Sequence, residues 1–198
     1  MTLAKIAVGP MNNNAYLLRD NATGQALLID AAAEPERLLR LIGDTPVQKI
    51  MTTHQHRDHW GALGEVKDAT GAVTVAHPLD AVGIPVPTDE LVDDDGIIRF
   101  GDNVELAAIH LVGHTPGSIA LLLHGNDRPH LFTGDCLFPG GVGNTQKDAE
   151  RFRTLFEGVH DKLFGRLPDS TWVYPGHGPD TTLGAERPHL EEWRERGW

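Results

Sequence analysis

Short apolar runs bounded by Gly, Pro, Asn or Asp recur along the chain. They predict strands at Leu3–Val8, Ala15–Arg19, Ala26–Ile29, Val47–Thr52, Val73–Ala76, Ile97–Phe100, Val104–Leu111, Ser118–Leu123, His130–Thr133 and Thr171–Tyr174. A different period marks helices. Pro35–Ile42 places Leu38, Leu41 and Ile42 on one face, and Asp148–Phe164 sets Phe152, Leu155, Phe156, Val159 and Leu163 three and four residues apart. Asp58–Ala69 and Ala185–Arg196 predict shorter helices, the second highly charged, exposed along one side and anchored by its tryptophans. Strands followed by a helix, in two successive halves, predict an α/β or α+β layered fold with helices outside packed sheets. No linker or low-complexity stretch interrupts the pattern, so residues 1–198 are expected to form a single domain.

Composition narrows the partners. A hydrophobic content of 40% in 198 residues supports a sizeable core. With 17 Lys+Arg against 28 Asp+Glu, the formal charge of -11 works against nucleic acid or an anionic membrane surface and leaves a small molecule as the expected partner. No run approaches the length of a membrane span, and the N-terminus alternates, which places the chain in the cytoplasm as an expectation. The one cysteine, Cys136, cannot form an internal disulfide, so no oxidising compartment is required.

Candidate chemistry lies at the ends of the predicted strands. After Val47–Thr52 come His54, His56, Asp58 and His59 inside one six-residue window, on a strand-to-helix loop. Three more runs end in the same manner: Gly113-His114-Thr115-Pro116-Gly117, Gly134-Asp135 and Pro175-Gly176-His177-Gly178. Five histidines and two aspartates would thus gather at one edge, enough for two metal ions sharing a carboxylate. Imidazole and carboxylate suit zinc, iron or manganese, and the lack of a thiolate cluster argues against a zinc finger or an iron–sulfur centre. His77, His110, His124, His130, His160 and His189 lack this context and are read as structural or solvent-facing. Asp93-Asp94-Asp95 reads as a solvated turn rather than a third metal site, because no histidine neighbours it in sequence.

These residues carry a family resemblance over nearly the whole chain. Thr53-His54-Gln55-His56-Arg57-Asp58-His59, Gly113-His114-Thr115-Pro116-Gly117-Ser118, Phe132-Thr133-Gly134-Asp135-Cys136-Leu137-Phe138 and Tyr174-Pro175-Gly176-His177-Gly178, in this order, resemble a metallo-β-lactamase-fold hydrolase of the glyoxalase II-like branch. The resemblance implies an αβ/βα sandwich of two sheets with helices outside. It assigns His54, His56 and His114 to one divalent ion, most often zinc, Asp58, His59 and His177 to a second, and Asp135 to both. Asp30 resembles the family's early structural aspartate.

Such a pair of ions generates hydroxide at neutral pH for attack on a carbonyl, with Asp58 orienting the nucleophile. A thioester such as a 2-hydroxyacyl-thiol is the implied substrate, because its thiol leaves with little help from an acid. Two departures separate the chain from glyoxalase II proper. Asn144 stands where a basic residue helps hold glutathione, leaving Lys147 and Arg151 as the nearest replacements, and the chain ends soon after His177, where longer relatives add helices. Other readings stay open: a persulfide dioxygenase with one iron held by two histidines and an aspartate, a lactonase or β-lactamase-like hydrolase, or a noncatalytic metal-binding module. A flavodiiron-type oxidase fits poorly, since that group carries glutamate at the place of His56. Trp60 either walls the pocket or packs beneath the metal loop, and Cys136 is expected to point away from Asp135 as a buried packing residue.

Overall fold

The computed structural model describes residues 1–197. In chain order its elements begin with β1 (Thr2–Val8), β2 (Asn13–Arg19), β3 (Ala26–Ile29), α1 (Pro35–Ile42), β4 (Val47–Met51), α2 (Arg57–Trp60), α3 (Leu63–Thr70), β5 (Val73–Ala76), α4 (Pro78–Ala81) and β6 (Glu90–Leu91). The second half holds β7 (Ile97–Phe100), β8 (Val104–His110), β9 (Ile119–His124), β10 (Pro129–Gly134), the small ribbon β11 (Leu137–Phe138) and β12 (Gly141–Val142), α5 (Ala149–Gly158), β13 (Trp172–Pro175), β14 (Thr181–Thr182), α6 (Leu183–Glu186) and α7 (Leu190–Arg196). Two sheets result, in the orders β1-β2-β3-β4-β5-β6 and β14-β13-β10-β9-β8-β7. β3 to β6 run parallel, as do β10 and β13; the other neighbours within these two sheets are antiparallel.

Side-chain alternation explains why the strands read as unbroken apolar runs. Tyr16, Leu18, Leu27 and Ile29 face the space between the sheets, where they meet Leu106, Ile119, Leu121 and Phe132. Their neighbours Ala15, Leu17, Ala26 and Leu28 face outward onto Leu38 of α1 and Leu63 and Val66 of α3. In the second sheet, Ala120, Leu122, Leu131 and Val173 face Leu155, Phe156, Leu163 and Trp193. A strand covered on both faces has no position to spare for a polar residue. The layering is therefore the expected αβ/βα sandwich. Each fully buried Leu, Ile or Phe contributes about 1.5–3 kcal/mol, so the three apolar layers are the main source of stability.

Three helix expectations change in detail. Asp58–Ala69 divides into α2 and α3, because the Ala62 N–H donates to the Ala31 carbonyl (3.0 Å) instead of continuing a helix. Ala185–Arg196 breaks around a 3-10 turn at Arg187–His189, where Pro188 lacks the N–H that an uninterrupted helix needs. Asp148–Phe164 is continuous, but beyond Gly158 it widens into a π-helical segment, Val159–Phe164, that keeps Val159, Leu163 and Phe164 buried. Trp193 anchors α7 with 1% exposure, while Trp198 lies outside the described residues. Among the described residues, no helix is long and apolar enough to cross a membrane.

Candidate metal centre

The C-terminal ends of β3, β4, β8, β10 and β13 open onto one edge of the sandwich, the place where ligands bind in open α/β sheets. β4 delivers Thr53, whose N–H and hydroxyl both donate to the Asp30 carboxylate at 2.8 Å. This turns the following histidine loop across the mouth, and α2 then carries Asp58 and His59. The loop after β8 carries His114; Arg151 of α5 donates to the carbonyls of Gly113 (2.7 Å) and His114. β13 ends at Pro175, and at the next residue, Gly176, any Cβ would collide with the Asp135 carboxylate and the His59 ring.

All seven sequence-predicted residues come together. His54 Nε2, His56 Nδ1 and His114 Nε2 form a triangle with sides of 3.0, 2.9 and 3.2 Å. Tetrahedral zinc with bonds of about 2.0–2.1 Å separates its nitrogens by about 3.3–3.4 Å, so a modest expansion of this triangle admits an ion. Asp58 Oδ2 lies 3.3 Å from His177 Nε2 and 3.6 Å from His59 Nε2, giving a second cluster. Asp135 reaches both: Oδ2 stands 3.6 Å from His114 Nε2 and 3.5 Å from His177 Nε2, and Oδ1 stands 3.3 Å from His59 Nε2.

His59 Nε2 and Asp135 Oδ1 are buried yet lack hydrogen-bond partners, a costly arrangement for protein alone. A cation between them satisfies both, so the donor set fits divalent metal.

Outer contacts orient the rings. His59 Nδ1 donates to Asp30 Oδ2 (2.8 Å), His114 Nδ1 to the Asn144 carbonyl (2.8 Å), His177 Nδ1 to the Met11 carbonyl (3.0 Å) and His54 Nδ1 to the Thr53 hydroxyl (3.2 Å). Each keeps a proton on Nδ1 and turns Nε2 toward the cluster, the orientation that metal ligation requires; without an ion, burial of His59 is outweighed by the Asp30 and Asp135 carboxylates, which push it up to about 10. Burial holds His54 well below the ordinary imidazole range, with the nearby His59 adding to the effect and Asp135 opposing it. Burial also lowers His114 against the opposing Asp135 charge. Asp135 itself is depressed: burial pushes it up, but contacts with His177 and His59 outweigh that. Asp58 is lowered as well, its burial outweighed chiefly by the hydrogen bond from Asn13.

Asn13 joins the site without a motif to mark it: it is 1% exposed and donates through Nδ2 to Asp58 Oδ2 at 2.8 Å. The only sequence signal was the run Asn12-Asn13-Asn14 at the start of an apolar strand. Trp60 resolves in favour of packing, since it lies against the outer core of the first sheet and its indole N–H donates to the Gln55 carbonyl (2.7 Å). Cys136 packs among Leu111, Leu131 and Leu137 as expected. Arg151 is committed to the His114 loop, so of the two basic candidates only the exposed Lys147 faces the groove beside Asn144.

One expectation is corrected. The Asp93 turn does have histidine neighbours: His77 Nε2 lies 3.2 Å from Asp93 Oδ1, and the rings of His77 and His110 stack at 4.0 Å with 26° between planes. Sheet pairing brings them together, although they are distant in sequence. The Leu79 N–H donates to His77 Nδ1 (3.2 Å), which places the His77 proton on Nε2, shared with Asp93. His110 Nε2 donates to the Pro116 carbonyl (2.8 Å). The ligand atoms of His77, Asp93 and His110 lie within 4.8 Å of one another, but nearly parallel ring planes keep the two imidazole lone pairs from meeting at one point, and the hydrogen bonds to Leu79, Asp93 and Pro116 make the group a brace for the His114 loop.

Comparison with known proteins agrees with the geometry. Residues 8–177 match the family model of the metallo-beta-lactamase superfamily. A probable metallo-hydrolase, YqgX of Bacillus subtilis, is 33% identical over 94% of this chain and 95% of its own length. The hydroxyacylglutathione hydrolase GloC of Haemophilus influenzae is 30% identical over 94% and 95%, and a hydroxyacylglutathione hydrolase of Polaromonas is 36% identical over 83% of this chain and 62% of its own. Among solved structures, the BLEG-1 B3 metallo-beta-lactamase superposes with a TM-score of 0.84 at 27% identity, covering 96% and 98% of the two chains. ETHE1 from Myxococcus xanthus gives 0.83 at 30% identity (96% and 83%), and TTHA1623 in a di-iron-bound form gives 0.73 at 31% (93% and 96%). With its strand-end histidines and aspartates gathered at one edge of an αβ/βα sandwich, this chain belongs to the metallo-beta-lactamase superfamily.

Proposed function

We propose that this protein is a two-metal hydrolase acting on a thioester such as a 2-hydroxyacyl-thiol. The observation that carries the reading is the pair of donor clusters meeting at Asp135, with His59 Nε2 and Asp135 Oδ1 left unpartnered between them. His54, His56 and His114 would hold one ion, Asp58, His59 and His177 the other, and Asp135 would serve both. When bound, the ions supply a water of lowered pKa and a Lewis acid for the carbonyl. Asp58 accepts a hydrogen bond from the nucleophilic water and fixes its direction, while Asn13 holds Asp58 in place.

The substrate approaches along a groove of about 500 Å³ beside His56 and His114, lined in part by Gln55, Val112, Pro116 and Arg151. Among the groove's lining residues, the ionisable groups besides the histidines are Glu150 and Arg151, and the latter is spent on backbone carbonyls. A leaving group that departs without a proton donor suits such a site, and a thiolate does. The two hydrolase relatives named for hydroxyacylglutathione support the same class. Asn144 is neutral, its carbonyl turned to His114 and its side-chain oxygen to the Gln146 N–H, so only the exposed Lys147 beside it remains to meet a glutathione carboxylate. The thiol carrier is accordingly proposed to differ from glutathione.

A single-iron persulfide dioxygenase is the second reading, because His54, His59 and Asp135 also form a group of two histidines and an aspartate whose ligand atoms lie within 4.8 Å of one another. Metal content measured alongside a panel of thioesters on several thiols, a lactone, a β-lactam and a persulfide separates the two. Two ions per chain with thiol release from a 2-hydroxyacyl thioester is the expected result. One iron per chain with oxygen uptake on the persulfide would replace the hydrolase reading.

A further inference from the structure

Asp80 is fully buried on α4, far in sequence from every predicted ligand. Its Oδ2 accepts from the Gln55 N–H (2.9 Å) and from the Thr115 hydroxyl (2.5 Å), and its Oδ1 accepts from the Gly117 N–H (2.7 Å). Gln55 sits between His54 and His56, and Thr115 follows His114. One carboxylate therefore ties together the two loops whose histidines form the first nitrogen triangle.

The surrounding motif is built around it. The Thr115 hydroxyl has one proton, and Asp80 takes it. The Ser118 hydroxyl, 2.5 Å away, must then donate to Thr115 Oγ1, while the Thr115 N–H donates back to Ser118 Oγ (3.2 Å). Gly117 has no room for a side chain, since a Cβ there would lie 2.7 Å from the Asp80 nitrogen and 2.8 Å from its Cγ. Asp80 is itself fixed, because the N–H groups of Asp80 and Ala81 donate to the His77 carbonyl at 3.0 and 2.8 Å, and His77 is buried within the brace described above.

The second cluster is oriented differently: Asp30 holds His59, Asn13 holds Asp58, and the Met11 carbonyl holds His177. We propose that Asp80 is the positioning residue of the His54, His56 and His114 half-site alone, setting that half-site's metal affinity without touching the ion. This rests on the reading that the two donor clusters hold ions. Ligand groups displaced by as little as about 0.5 Å lose productive geometry, and removing an outer hydrogen-bond partner typically costs about 10–100-fold in metal affinity.

Zinc binding to the full chain, measured by competition with a chromophoric chelator, tests the assignment without reference to any substrate. Asp80→Asn keeps the volume but turns an amide NH2 toward groups that are themselves donors. It should raise one zinc dissociation constant about 10–100-fold and leave the other unchanged. The affected ion should be the one that His56→Ala abolishes and His177→Ala spares. Thr115→Val should shift the same ion in the same direction by less, and it carries the test if Asp80→Asn does not fold. Two unaltered constants, or an equal loss at both sites in folded protein, overturn the proposal. Wild-type protein that binds one ion would remove the two-ion reading only; the claim for Asp80 then stands if that ion weakens in Asp80→Asn and is lost in His56→Ala, and falls if it is insensitive to either.

Discussion

Asn13 and Asp58, one at the start of β2 and the other on α2, meet at the edge of the second cluster: Asn13 Nδ2 donates to Asp58 Oδ2 at 2.8 Å and reaches His177 Nε2 at 3.3 Å. This contact holds the carboxylate that is proposed to aim the attacking water. Asn13→Ala should lower kcat about 10–100-fold with little change in KM, a split that steady-state kinetics on the thioester reads directly. The backbone pairing of Asn13 with His177 survives the substitution, so the melting temperature should hold. An unchanged kcat would show that Asp58 needs no such support.

Asp30 is a second buried anchor. It has a left-handed backbone (φ 59°) that asparagine tolerates, so Asp30→Asn changes the acceptor without straining the chain. The variant leaves the Thr53 N–H, the Thr53 hydroxyl and His59 Nδ1 competing for one oxygen. Chemical denaturation of the metal-free protein should show a loss of about 1–3 kcal/mol. Zinc affinity should fall most at the His59 site, which Asp30 contacts directly, and less at the other, which it reaches only through Thr53 and His54.

Removing the ions should stop catalysis and spare the fold. The apolar layers lie beneath the strand ends, and none of the seven donors belongs to them. Chelator-treated protein should keep its far-UV circular dichroism. It should melt at a lower temperature by the linkage term alone, about 2.7 kcal/mol when free metal had stood at 100 times Kd. Loss of secondary structure on chelation would mean that the ions hold the sandwich together.

Cys136 should be chemically silent in the native state. Burial pushes its thiol well above the ordinary cysteine range, the Asp135 charge adds to this, and the residue has 0% exposure. A raised thiol pKa leaves almost no thiolate at neutral pH, and thiolate is the form that reacts with alkylating agents. Iodoacetamide at pH 7.5 should therefore label unfolded protein and leave folded protein unlabelled. Rapid native labelling would place this segment at the surface.

Local signals made the architecture readable before any coordinates. Ten strands were recoverable because each is short, apolar and punctuated, whereas the two-residue strands β6, β11, β12 and β14 are too brief to leave a pattern; Pro35–Ile42 coincides with α1 because its period and its flanking Pro and Gly agree. Asp148 marks the start of α5 for an equally local reason: its carboxylate caps the N–H groups of Glu150 and Arg151. The breaks were harder to read. Nothing near Gly61 announces that the Ala31 carbonyl, on another loop, will take the Ala62 N–H and end the helix.

The donors were legible for a different reason. Metal ligands are chemically rare side chains, and here each follows an apolar strand with a glycine close by, so residue type and position coincide in the linear text. Their supports carry no such mark. Asn13, Asp80 and Arg151 are ordinary polar residues whose partners lie 45, 25 to 37, and 37 to 38 positions away, and only chain closure reveals them. His77 and His110 likewise became neighbours through tertiary packing. Sequence alone determined the layers and nominated the donors, because hydrophobic periodicity and ligand chemistry are properties of nearby residues. The tertiary structure decided which nitrogen each ring presents, which carboxylate steadies which loop and where the groove opens, because hydrogen bonds between distant segments have no counterpart in local pattern.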